Sequence, residues 1–330
     1  MADHSNIEWT DATWNCIRGC SRISEGCRHC YAERVAARFS GPGQPYEGLA
    51  VMKTVYGQSE CELDPLRAPS RKEPRWTGEV RFITEHLEDP LRWKKPRMIF
   101  VNSMSDLFHE DVPDEWIDRI FAVMALAPRH TFQVLTKRPG RMLNYLGAPG
   151  CMWRWTRHMP NMDGKSIGHW EDEFKQGALN NVWLGVSVED QETADNRIPL
   201  LLQTPAAVRW VSYEPALGPV DFRSHFCGHC AGHDFAGGFC THRKHEGVQH
   251  LDWIVCGGES GPSARPFDVQ WAISTVKQCK VSKVPCFVKQ LGAHPFDSTQ
   301  PGRPHLALND RKGGEMAEWP EGLRVREYPR

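Results

Sequence analysis

The chain has no apolar leader, since Met1-Ala2-Asp3-His4 is polar, and nowhere do about 18 apolar residues run together. These absences predict a protein that is neither secreted nor membrane-spanning. It also lacks an excess of either charge. Its 330 residues carry 40 Lys and Arg against 41 Asp and Glu, a formal net charge of −1. No global field therefore recruits nucleic acid, although a local basic patch is still compatible with this balance. No glycine-rich phosphate fingerprint opens its strand-helix series, which disfavours an open doubly wound sheet. The length suffices for one large core or two ordinary ones.

Cysteine, by contrast, is abundant: there are twelve. Without a leader peptide they point to the reducing cytoplasm, where clustered thiols more often bind metal than form disulfides. Two groups stand out, Cys16 to Cys30 and Cys227 to Cys240. Cys61, Cys151, Cys256, Cys279 and Cys286 are scattered and read as small buried side chains.

Short β-rich runs alternate with helical patterns. Strands are expected near 7–14, 80–84, 98–102, 132–136, 182–186, 208–212, 253–256 and 286–289. Helices are expected from Pro113 onward, where Trp116, Ile120 and Val123 recur at helical spacing, and near 141–146, 192–202 and 269–280. This is an α/β pattern, and it predicts a full or partial (β/α) TIM-like barrel with a parallel sheet. Residues 40–78 and 147–180, rich in Gly, Pro and charge, read as loop insertions, and about 222–250 as a Cys/His-rich insertion. The barrel is expected over 1–292, with an irregular extension over 293–330. No internal repeat is found beyond the βα unit.

Polar residues follow each expected strand end, as in Asn102-Ser103-Met104-Ser105-Asp106, Thr136-Lys137-Arg138 and Ser187-Val188-Glu189-Asp190. In a parallel barrel these ends open on one face, so Lys137, Glu189, Glu214, Glu259 and Lys289 are expected to line one pocket as catalytic candidates. Such an opposite-sign set suits a zwitterionic ligand, and equally a salt-bridge network that satisfies itself. Ser105, Asp190 and Ser260 read as either site residues or helix caps.

Cys20, Cys27 and Cys30 stand as C-x6-C-x2-C. Three thiolates on one loop suit three corners of a [4Fe–4S] cluster, leaving the fourth iron open. With Cys16 as a fourth thiolate, the same loop could close a tetrahedral zinc site. Spacing alone leaves both readings open.

A three-cysteine loop after a first strand, with Tyr31 beside the last cysteine, resembles the radical S-adenosylmethionine superfamily, whose usual spacing is C-x3-C-x2-C. More closely, the chain resembles an uncharacterised phage- and bacteria-borne branch with the displaced C-x6-C-x2-C motif. The matching stretches are 6–15, Cys27 to Glu33, Phe100 to His109, Leu135 to Pro139, Gly185 to Glu189 and Gly257 to Gly261. The resemblance implies a [4Fe–4S] cluster on Cys20, Cys27 and Cys30, with Cys16 a bystander. It implies that the open iron chelates S-adenosylmethionine, and that one electron from an external donor gives a 5′-deoxyadenosyl radical. The superfamily's glycine-glycine-glutamate element lies near its second strand, so Gly257-Gly258-Glu259 is not equated with it. Asn102, Ser103 and Ser187, with Lys137 and Glu189, are the candidates for holding cofactor or substrate, on strand-end position.

Cys227, Cys230, Cys240 and His242 form C-x2-C-x9-C-x-H, the pattern of a structural zinc knuckle able to staple a small insertion. Trp153, Trp155, Arg154, Arg157, His158 and Lys165 interleave aromatics with bases. That mixture suits single-stranded nucleic acid or simple packing onto the barrel. Arg67, Arg71, Lys72 and Arg75 read as a solvated loop. The leading expectation is a cytoplasmic radical S-adenosylmethionine enzyme acting on a nucleic acid base or nucleotide. Its rivals are a zinc-binding nucleic-acid-binding protein without turnover, and a barrel hydrolase with Glu189, Glu214 or Glu259 as base.

Overall fold

The computed structural model describes residues 5–56, 70–159, 174–175, 177–226, 249–261, 263–302 and 305–329. Seven apolar runs become the strands of one parallel sheet: β1 (Ala12–Trp14), β2 (Met98–Val101), β3 (Thr131–Thr136), β4 (Val182–Ser187), β5 (Val208–Tyr213), β6 (Trp253–Gly257) and β7 (Cys286–Gln290). Their spatial order equals their chain order, and every neighbouring pair is parallel. The result is a mixed α/β fold whose sheet curls into a half-barrel. β7 does not pair with β1, so the fold is the partial form of the expected barrel.

Period-two alternation sorts the strand side chains between two cores. Ile99, Val101, Phe132, Val134, Leu184, Val186, Val211, Ile254 and Val288 belong to the larger core, which the helices share. Phe100, Trp210, Trp253, Val255 and Phe287, alternating with them, join Trp9 in a second cluster. Trp9 meets Phe100 and Trp210 edge-on at 4.9 and 5.2 Å between ring centroids. This aromatic floor fills part of the concave face and accounts for several of the thirteen tryptophans.

Besides a single turn at Asp89–Arg92, the α-helices among the described residues are α1 (Tyr31–Arg38), α2 (Asp114–Leu126), α3 (Pro139–Leu146), α4 (Cys151–Thr156), α5 (Gln191–Gln203) and α6 (Val269–Ser282). Pro113 caps α2 rather than opening it, with Asp114 and Glu115 in the first turn. α5 starts on a capping box between Asp190 and Thr193. Ser105 and Ser260 precede no helix start.

The tail covers the free edge of β7. Val288 donates its backbone N–H to Val325 at 2.8 Å and Glu327 donates to Cys286 at 2.9 Å. Tyr328 then reaches the N-terminal segment, donating its hydroxyl to the Glu8 carbonyl at 3.3 Å. An edge that would otherwise present unpaired backbone is thereby closed.

Three local expectations change. Only Arg81–Phe82 of the run 80–84 is extended, and it pairs antiparallel with Ile17–Arg18 outside the main sheet. A 3₁₀ turn beginning at Thr84 ends it. The insertion 40–78 contains an antiparallel ribbon, Ala50–Tyr56 against Ser70–Trp76, so Arg71 and Arg75 sit on a strand, both paired with Glu73. The stretch after Gly147 holds α4, which buries Trp155 against Phe121 and leaves Trp153 58% exposed. Cys61, Lys165 and the proposed zinc ligands Cys227, Cys230, Cys240 and His242 lie outside the described residues.

Candidate functional site

A cavity of about 470 Å³ opens at the C-terminal ends of the strands. Phe100, Leu135 and Trp9 line it from the aromatic floor; Asn102, Ser103, Lys137, Ser187, Ser212, Glu214, Glu259 and Lys289 line it from the strand ends. Cys20, Cys27 and Cys30 line the same cavity. The loop that carries them follows β1 and feeds α1, with Cys30 at the helix N-cap.

The loop is held from three sides. Glu33, fully buried in the first turn of α1, accepts from Arg22 Nε at 2.9 Å and from the Trp76 backbone N–H at 2.8 Å. Arg22 sits within the six-residue spacer, so the glutamate of Tyr31-Ala32-Glu33 ties that spacer to the helix and the ribbon. On a second side, Arg138 donates to Ser21 Oγ at 2.7 Å and pairs with Asp106 at 3.1 Å. His109 Nε2 shares a hydrogen bond with Ser21 Oγ at 2.8 Å. On the third, Ser24 donates to Glu189 Oε1 at 3.0 Å. Gly26 packs so closely there that an added Cβ would lie 2.3 Å from Glu189 Oε1.

Glu189 is therefore an anchor rather than a free base. It is 1% exposed, does not line the cavity, and also receives Lys137 Nζ at 2.8 Å and Arg197 Nη1 at 3.1 Å. Burial opposes its ionisation, but the two cations outweigh that and hold its pKa below the usual carboxylate range. Glu259 behaves alike: burial opposes its charge, while Arg265 at 2.6 Å lowers its pKa, helped by His29 at 3.2 Å. Lys289 pairs with Glu214 at 2.6 Å, and both line the cavity partly exposed. Four of the five charged candidates, Lys137, Glu214, Glu259 and Lys289, thus line one cavity, while Glu189 lies behind it, and all five are paired with one another or with Arg197 and Arg265.

Asn102 sits at φ 58°, in the left-handed region, and is 3% exposed. Its Oδ1 accepts from the Ile17 backbone at 3.2 Å, while its Nδ2 is buried without a hydrogen-bond partner among the described residues. Ser103 is tied through its hydroxyl to Asn15 at 3.1 Å, and Tyr31 donates to the Ser103 carbonyl at 2.7 Å. Cys16 is fully buried in the larger core with its thiol toward Asn102 Oδ1 at 3.8 Å, and it does not line the cavity.

Burial pushes the Cys20 and Cys30 thiols up, and the neighbouring Cys27 adds to both shifts. In such surroundings thiolates form readily only when a cationic centre binds them. Among the described residues no three His, Cys, Asp or Glu side chains are drawn into a group that could hold a single metal ion. One tetrahedral zinc needs thiolates about 3.8 Å apart, from a Zn–S bond of about 2.3 Å. A cluster binds each thiolate at a different iron, and three thiols on one cavity-lining loop are the donor type it takes.

Sequence reasoning missed Glu33, Arg22, Ser24, Asp106, His109, Arg138, Arg197 and Arg265. Asp106, His109 and Arg138 stand inside quoted motifs and were legible as polar strand-end residues. Arg197 and Arg265 lie in α5 and in the loop after Gly261, where nothing local marks their reach.

The chain belongs to the DUF5131 family of proteins of unknown function, which it matches over residues 4–320. No curated protein and no solved structure matches it. Among the described residues no helix is long and apolar enough to cross a membrane.

Proposed function

We propose that the cavity is the active site of a radical S-adenosylmethionine enzyme, with Cys20, Cys27 and Cys30 as ligands of a [4Fe–4S] cluster. The observation that carries this reading is the division of the first four cysteines: three line the strand-end cavity, while Cys16 is turned into the core. A three-thiolate set at a cavity leaves room for a ligand beside the metal; a four-thiolate structural site would not.

When bound, the cluster supplies one electron to S-adenosylmethionine, and with it radical chemistry on a substrate held alongside. The chain's own groups do the rest. Glu214, partly exposed beside Lys289, offers an acceptor for an ammonium group, and Lys289 a donor for a carboxylate. Asn102, Ser187 and Ser212 line the same space. The Trp9, Phe100 and Leu135 floor excludes water from one side, which protects a reactive carbon centre. Glu189, Glu33 and Arg138 position the cysteine loop. An external electron donor supplies the reductant, a nucleic acid base or nucleotide is the substrate, and the reducing cytoplasm suits the free thiols.

Anaerobic reconstitution with iron and sulfide tests the reading. The expected protein is brown, bleaches on reduction and cleaves S-adenosylmethionine to 5′-deoxyadenosine. The zinc knuckle proposed for Cys227, Cys230, Cys240 and His242 is tested separately by metal analysis: a Cys227→Ser, Cys230→Ser variant should lose one zinc per chain.

A further inference from the structure

The cavity's charges do not balance, and the surplus has a sign. Among the described residues Lys137, Arg138 and Lys289 are each matched by a carboxylate, and His29 lies against Glu259. Two further cations line the cavity with no ion pair among the described residues: Arg34 on α1 and Lys312 on the C-terminal segment. Unmatched hydrogen-bonding capacity on the strand side, among the described residues, includes one amide donor and one hydroxyl. Asn102 Nδ2 and Ser105 Oγ are buried without partners, and both residues line the cavity. Glu8, whose Oε2 is buried and unpartnered, is the counter-example at the N-terminal flank.

Neither cation is there by loose chance. The Arg34 guanidinium lies over Gly261, where an added Cβ would stand 3.0 Å from Nη1; the last glycine of Gly257-Gly258-Glu259-Ser260-Gly261 leaves it that place. Lys312 is delivered by the contact of Gly313 with Gly292. A Cβ on Gly313 would lie 2.6 Å from the Gly292 carbonyl oxygen, and Leu291 donates its N–H to the Gly313 carbonyl at 2.8 Å. The tail is thus stitched to the end of β7 directly beside Lys312.

We infer that Arg34 and Lys312 form an anion subsite that takes the phosphate of a nucleotide, whose ring lies toward the aromatic residues of the same cavity. Arginine and lysine are the usual recognition elements for phosphate oxygens, and Lys312 lies within electrostatic reach of Asp310 without forming an ion pair with it among the described residues. Trp9, Phe100, Tyr31 and Trp76 line the cavity and offer faces or edges to a flat ring. Glu8 Oε2 is the acceptor available to a ring amino or imino group. The inference names the substrate class for the active site proposed above, but it requires neither iron nor S-adenosylmethionine.

The test is therefore run on iron-free full-length protein by calorimetric titration with 5′-AMP, 5′-UMP and their nucleosides. At least one nucleotide should bind about 10-fold or more tightly than its nucleoside, with affinity falling as salt rises. Arg34→Ala and Lys312→Ala should each remove about 10-fold of nucleotide affinity and leave nucleoside affinity unchanged, and Arg34→Lys should restore part of the loss. Arg28→Ala, which removes an exposed arginine paired with Glu25, is the control and should change nothing. Equal binding of nucleotide and nucleoside, no binding of either at millimolar concentration, or unchanged affinity in both alanine variants would each overturn the subsite. Lys312→Ala lies on an exposed segment, so it reads the subsite even if Arg34→Ala disturbs α1. If nucleotide binding persists while reconstitution gives no cluster, the subsite stands and the radical reading falls.

Discussion

Ser24 donates its hydroxyl to Glu189 Oε1 at 3.0 Å, joining the cysteine loop to the end of β4 across 165 residues of chain. The carboxylate that accepts it is nearly fully buried between Lys137 and Arg197. Glu189→Gln would leave two cations beside a neutral amide. It should cost about 3 kcal/mol of stability, as expected when one partner of a buried pair is removed. Urea denaturation of the iron-free protein measures it. A loss below about 0.5 kcal/mol would show that the anchor is not structural.

Gly26→Ala tests the same contact from the loop side. The new methyl group would meet the Glu189 carboxylate, so the loop must move away from β4. Iron retained after reconstitution should fall several-fold while the circular dichroism spectrum stays that of the native fold. Full iron content would mean that the loop tolerates displacement.

How much of this was legible beforehand can be told residue by residue. The seven strands showed themselves because each is a short apolar run, and the strand-end motifs showed themselves because they are polar where apolar runs stop. The partial closure of the sheet did not show, since nothing in the run 80–84 says that Phe82 will stack on Trp116 at 5.1 Å instead of joining the sheet. Glu189 was legible as a site residue but not as an anchor. Its role depends on Arg197, about two turns into α5, and on Ser24, which local sequence does not connect to it. Glu33 was hidden for the same reason: its partner Arg22 is eleven residues earlier and across a loop.

Trp155 and Trp153 separate packing from display on one short helix. Trp155 is 1% exposed and stacks on Phe121 at 4.7 Å, whereas Trp153 is largely exposed. Trp155→Ala should cost about 3–5 kcal/mol, and Trp153→Ala less than about 0.5 kcal/mol. Equilibrium unfolding of the two variants checks the contrast, and equal costs would contradict it.

Acid should destabilise the iron-free protein in two stages. Burial lowers the pKa of His130, outweighing its bond to the Pro90 carbonyl, so the folded state holds it neutral. Unfolded histidine titrates near pH 6.5, so this contribution is complete above about 6.5 and is lost as pH falls toward the folded pKa. Glu189 and Glu259 also have lowered pKa values, so their contribution is complete above about pH 4.3 and is lost as pH falls through their folded values. Melting temperature followed from pH 8 to 3 should therefore decline gently below about 6.5 and steeply below about 4.3. His109, whose pKa burial also lowers, contributes to the same stage, so a His130→Gln variant should show a smaller first stage rather than none; a stability maximum below pH 4 would contradict the assignment.

The most direct measurement is anaerobic reconstitution of the wild type, Cys27→Ala and Cys16→Ala proteins, with iron content, electron paramagnetic resonance and 5′-deoxyadenosine production read together. The account predicts about four irons and S-adenosylmethionine cleavage in the wild type and in Cys16→Ala, with cleavage abolished in Cys27→Ala. A colourless wild-type protein that holds only zinc, or cleavage lost in Cys16→Ala as fully as in Cys27→Ala, would contradict it.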